Sequence, residues 1–150
     1  TAGLKTLVLG QVSDPIQGGT ISGTAKGQMR WLQDFADCAQ DRVTTALSVV
    51  SGDGTAVRGY LLPLGFYGGT NLFQTSPSDP QNRFIANGDA LTPVQAQDGD
   101  RLFLQVGAQP SVAPTLGDFV VCYMGGVIAT DLPENETETA VQSAWFQLSQ

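Results

Sequence analysis

Apolar and polar residues alternate along much of this 150-residue chain. A period of two marks a half-buried β-strand, because successive side chains point to opposite faces. Residues 20–32 carry it furthest: Ile21, Gly23, Ala25, Gly27, Met29 and Trp31 share one parity, and Ser22, Thr24, Lys26, Gln28 and Arg30 the other. One long strand is predicted there, with Gly23 and Gly27 marking bulges or bends. Residues 5–12 form a first strand with Leu7 and Leu9 on one face, and SDPIQGG turns the chain after it. Residues 34–41 (DFADCAQD) read as one helical turn or a polar loop, with the loop preferred. Residues 42–51 place Val43, Thr45, Leu47 and Val49 on one face. Ser51-Gly52-Asp53-Gly54 is a hairpin signal, since Gly accepts the positive φ of tight turns. The chain returns over residues 55–64, and the pairing of TTALSVV with TAVRGYLLPL is the firmest tertiary expectation. Arg58 is expected to face outward beside that loop.

From residue 65 to residue 88 the period dissolves into a long excursion, with a short strand at 83–86. Excursions of this length inside a domain are often functional. Phe66, Tyr67, Phe73 and Phe84 are too apolar for a solvated linker: they pack beneath the loop or, with Asn71, meet a partner. Residues 94–97, a tight turn at Asp98-Gly99-Asp100, and residues 101–106 form the next unit, with Leu102, Leu104 and Val106 inward. GAQPSVAPTLGD is a loop. Residues 119–124 (FVVCYM) read as a strand buried on both faces. An acidic loop follows, and residues 144–149 (AWFQLS) close the chain as a last strand. About seven to nine strands with turn signals between them indicate an all-β fold, a single antiparallel sandwich or a barrel.

Composition agrees. Charged residues make up 14% of the chain, against roughly 25% in an average soluble domain. Lys occurs only at Lys5 and Lys26, and Gly 18 times. Thr, Ser, Gln, Asp and Gly take the polar positions, which suits strands and turns better than helices. The length fits one domain over residues 1–150, with residues 1–12 as an N-terminal strand or arm and 65–88 as the excursion. Such a domain buries enough surface to need no metal or disulfide. The net charge of −7 repels nucleic-acid phosphates and anionic lipid headgroups, so neither is expected as a partner. No run is long and apolar enough for a membrane-spanning helix. The N-terminus lacks the basic start and long apolar stretch of a signal peptide. A start at Thr1 fits a product clipped of its initiator Met, a processed form or a fragment.

Catalytic chemistry is hard to assemble. The chain has no His, which removes the commonest general base, the Ser-His-Asp and Cys-His constellations and the usual zinc ligands. Asp14, Asp53, Asp79, Asp89, Asp98, Asp100 and Asp118 sit in turns, where side-chain to backbone hydrogen bonds account for them. A protein that is not an enzyme and uses no cofactor is the reading. Asp98 and Asp100, with Asp131, Glu134 or Glu136, offer oxygen ligands to calcium. The alternative for Asp98-Gly99-Asp100 is a plain turn. Glu134, Glu136 and Glu138 stand at alternate positions beside Asp131. They form either a solvated loop or an acidic strip facing a basic partner. Cys38 and Cys122 are open to three readings: two buried small hydrophobes, a disulfide, or pairing between chains. Trp31 and Trp145 belong to the core or to an interface.

Four segments carry a resemblance, in this order: DPIQGGTISGTAKGQMR, VVSGDGTAVRGYLL, VQAQDGDRLFLQVGA and ATDLPENETETAVQSAWFQLSQ. They resemble a group of mostly uncharacterised proteins of tailed bacteriophages, prophages and environmental viral genomes. DLPENETET followed by an aromatic strand is the most specific element, and the likeness runs from about residue 10 to residue 150. Relatives often carry additional sequence before the matched part, and GFYGGTNLFQ departs from the group. The resemblance implies a virion structural protein with a jelly-roll-like sandwich.

The expected function is a capsid decoration or cement protein at the particle surface. Its partners are then the major capsid protein or another virion protein, and other copies of itself in a homo-oligomer. Two alternatives stand beside it. One is a tail or fibre module binding host surface glycan through Tyr60, Tyr67, Asn71 and Asn82. The other is a filament subunit exchanging strands through TLVLG. For the first reading the contact residues are Phe66, Tyr67, Asn71, Phe73, Phe84, Asp131, Glu134, Glu136 and Glu138.

Overall fold

The computed structural model describes residues 6–34, 42–66, 81–109, 119–123 and 144–149. Every regular element among them is a strand: β1 (Thr6–Val12), β2 (Gly19–Ile21), β3 (Thr24–Asp34), β4 (Arg42–Val50), β5 (Val57–Phe66), β6 (Gln81–Ala90), β7 (Val94–Ala96), β8 (Arg101–Gln109), β9 (Phe119–Tyr123) and β10 (Trp145–Ser149). All pairings are antiparallel. One sheet has the order β1-β8-β4-β5, the second β10-β3-β6 with β9 also on β3, and β2 pairs with β7 in a small ribbon. This is the expected all-β sandwich. The ribbon strands β2 and β7 raise the count above the expected range.

β9 and β10 share one strand position. β10 pairs with Thr24 to Gln28 of β3, and β9 with Arg30 to Asp34. β6 covers the opposite edge of β3 from Thr24 to Trp31. β9 and β10 therefore follow one another along the same edge, as a single strand interrupted by residues 124–144.

With that merger, the winding is that of a jelly roll. In an eight-stranded jelly roll the second, seventh, fourth and fifth strands make one sheet, and the first, eighth, third and sixth the other. Here β1, β8, β4 and β5 are the second, seventh, fourth and fifth, and β9/β10, β3 and β6 are the eighth, third and sixth. The first position, beside β10, has no occupant among the described residues.

The core lies between the sheets. Ala25, Met29 and Trp31 of β3 and Ile85 of β6 meet Val43, Leu47 and Val49 of β4, Leu61 and Leu62 of β5, and Leu104 and Val106 of β8. Leu9, Leu102, Phe146 and Leu148 pack partly buried against it. The parity read for residues 20–32 is thus the buried face of β3. From Val43 to Val50 every residue of β4 is buried, on both faces.

Three expectations change. The strand over 20–32 is two strands: the chain breaks at Ser22 and Gly23 (φ 100°), which sends β2 to β7. The excursion from residue 65 is shorter, because Gly65 and Phe66 end β5 and residues 81–90 form β6, far longer than 83–86. Its alternation is hidden because Asn82, Arg83, Phe84, Ile85 and Ala86 are all buried. β9 is not covered on both faces, since Val121 is 37% exposed. TLVLG falls in the expected first strand, β1, which pairs with β8.

Candidate functional site

Three loops meet at one end of the sandwich: 13–18, 51–56 and 97–101. Each is ordered by its own turn chemistry. In the β4–β5 hairpin, Asp53 Oδ1 accepts from the Ser51 hydroxyl at 2.5 Å and from the Thr55 amide and hydroxyl at 3.1 and 2.9 Å. These donors stabilise the ionised carboxylate and lower its pKa from 3.8 to about 2, the Ser51 hydroxyl contributing most. Asp98 accepts from the Gly18 amide at 2.7 Å. The Ser13 hydroxyl accepts from the Leu102 amide at 2.9 Å, and Arg101 Nη1 donates to the Ser13 carbonyl at 2.8 Å.

Asp100 joins these loops. Its residue is 2% exposed. Arg58 donates Nε to Oδ2 at 3.1 Å and Nη2 to Oδ1 at 3.2 Å. The Gln97 amide adds a third donor at 2.8 Å. First the Arg58 guanidinium and then that amide hold the Asp100 carboxyl below the usual carboxylate range, against the opposing effect of burial. Arg58 is exposed beside the loop, as the sequence predicts, and its guanidinium reaches over the end of β4, which separates its strand from β8. The side chain keeps partial exposure, with 30% of it accessible. At the same place Gly52 lies so close to the Gly99 carbonyl that a Cβ would stand 2.6 Å from its oxygen.

Two openings flank β1. One, of about 420 Å³, lies over the hairpin and is lined by Val12, Gly52, Asp53, Arg101 and Phe103, among others. The other, of about 230 Å³, is mostly apolar and runs between the sheets, lined by Gln11, Val12, Ser13, Leu47, Leu102, Leu104, Phe146 and Leu148. Val12 lines both and is 57% exposed. Just after β6, the Thr92 amide donates to the Leu61 carbonyl of β5 and the Leu91 amide to the Gly23 carbonyl, both at 2.9 Å.

Most of the residues named from sequence lie outside the described residues. Phe66 ends β5; its side chain, and Tyr67, Asn71, Phe73, Asp131, Glu134, Glu136 and Glu138, lie outside the described residues. Phe84 is inside the protein at 2% exposure, its ring 5.9 Å from Lys26 Nζ. Of the glycan set, Tyr60 is exposed and Asn82 is buried. Trp31 is fully buried and Trp145 partly. Cys122 is a free thiol whose pKa burial pushes up, and Cys38 lies outside the described residues. Among the described residues no three His, Cys, Asp or Glu side chains come together to hold a metal ion. Asp100 gives both oxygens to Arg58, so the calcium reading of Asp98-Gly99-Asp100 loses one of its ligands. Sequence reasoning missed the Arg58–Asp100 pair and the groove beside β10. Only the coincidence of an Arg on a hairpin strand with a second Asp in the 98–100 turn hinted at the former.

No protein-family model matches the chain. No curated protein matches it either. Among solved structures, the crystal structure of the infectious bursal disease virus VP2 subviral particle is similar, at 12% identity and a TM-score of 0.34. The match covers 79% of this chain and 25% of that one. A likeness at that score carries no argument about this chain.

Proposed function

We propose that the chain is a virion structural protein. In this reading it is a capsid decoration or cement subunit, held on the particle surface by contacts with the major capsid protein and with its own copies. The observation that carries the reading is the strand order. The jelly roll is an architecture shared by viral capsid and lectin domains. The link from fold to role is one of analogy. The ordered resemblance of four segments to phage and prophage proteins favours the virion within that pair. The polar chemistry supports a holding role: Asp53, Asp98 and Asp100 are each engaged in turns or an ion pair. The exposed apolar side chains Val12, Val57, Tyr60 and Val121 supply contact surface of the kind binding proteins use.

Quantitative mass spectrometry of purified particles tests it. Copy numbers comparable to the capsid protein are expected. A few copies per particle, rising with the tail components, would move the chain to the tail, and complete absence would end the virion reading.

A further inference from the structure

From the first position of the jelly roll, which none of the described residues fills, we infer that the edge of β10 accepts an extended strand of another polypeptide, one with alternating apolar side chains and flanking basic residues. This rests on the protein-binding reading above and names the element that the partner contributes.

The sheets are unequal at one side only. Four described strands face three, and in the facing order of a jelly roll β1 stands one strand position beyond β10. The groove of about 230 Å³ lies along that overhang, with Val12 and Leu102 on one wall and Phe146 and Leu148 on the other. A strand hydrogen-bonded to β10 would lay its inward side chains there, over Val12.

Among the described residues the edge carries none of the usual guards. Natural sheet edges are protected by Lys, Pro, bulges or cover. β10 reads WFQLS, without charge or Pro, and its register on β3 runs without a shift from Trp145 to Ser149.

The overhang selects the occupant. Neighbouring strands lie about 4.8 Å apart. If a second copy paired β10 with β10, the same side of the sheet would face its own β8, which would fall where β1 already stands. A lone strand fits where a second sandwich does not. The net charge of −7 favours a strand flanked by Lys or Arg.

The test uses the whole chain and two synthetic nonapeptides. One alternates Val and Thr between terminal lysines; the other has Pro at its centre. Binding is followed by titration and by amide hydrogen exchange in β10. The expected result is saturable binding of the first peptide, with slowed exchange at those β10 amides that point away from β3. Binding is lost with the Pro peptide and weakened about tenfold or more by Val12→Asp, a substitution at an exposed position that leaves the fold intact. Three results overturn the inference: no binding, protection appearing at β5 or β6 instead, or outward β10 amides already slow in the free chain. The last would mean that the chain fills the position itself. None of these touches the particle copy number, which tests the virion reading separately.

Discussion

Arg58 holds both carboxylate oxygens of Asp100 across the end of β4, although the two residues lie 42 positions apart in sequence. The planar guanidinium fork matches the carboxylate, and the Gln97 amide completes its shell. The pair ties the β4–β5 hairpin to the turn that starts β8, at the end of the sandwich where three loops meet.

Removing one partner leaves a buried carboxylate without its counter-charge, which is destabilising. Arg58→Ala is expected to lower Tm by roughly 5 °C or more. Arg58→Lys is expected to recover only part of the loss, because an ammonium cannot make the two parallel bonds. Thermal unfolding followed by circular dichroism checks both.

Acid should weaken the protein through Asp53 and Asp100. Both carboxyls have a lower pKa folded than unfolded. Their contribution is then complete above the unfolded value near 3.8 and is lost as pH falls toward the folded values, about 2 for Asp53. In that window the unfolded chain binds more protons. Urea midpoints measured between pH 6 and pH 2 are expected to be flat at first and to fall below about pH 4. Asp53→Asn keeps an acceptor oxygen but cannot titrate, and should make the fall shallower.

Gly27 marks where β10 meets β3. A Cβ there would lie 2.7 Å from the Phe146 ring and 2.8 Å from the Trp145 carbonyl oxygen, with Ile85 at 3.1 Å behind. Gly27→Ala forces β10 outward and should cost about 1–3 kcal/mol. Denaturant unfolding gives the loss, and hydrogen exchange should place the loosening in β10 rather than β8.

Thr45 points the other way. It is 1% exposed and its hydroxyl has no hydrogen-bond partner among the described residues. Thr45→Val removes an unsatisfied polar atom at nearly constant volume, so stability should rise by about 1 kcal/mol. An unchanged or lower denaturation midpoint would show that the hydroxyl is satisfied in solution.

Legibility in the sequence followed burial. β3 was readable because one parity, Ala25, Met29 and Trp31, is core while Lys26 and Arg30 stay partly exposed. The hairpin was readable because SGDG can hardly do anything else. The break at Ser22–Gly23 was hidden because Ile21 and Ala25, on either side, keep the same parity and are both buried. β6 was hidden because its two faces are both covered, placing Asn82 and Arg83 among its buried residues and erasing the alternation. The Arg58–Asp100 pair and the position beside β10 that no described residue fills depend on strand order, which local pattern does not encode. The aromatic and acidic loops singled out for contact lie mostly outside the described residues, apart from Phe84, which the fold uses inside.

A cryo-EM map of the intact particle tests the central claim most directly. The account predicts density for this two-sheet sandwich repeated over the outer surface of the shell, seated on the major capsid protein. A map that confines the sandwich to the tail, or shows the whole particle without it, would contradict the account.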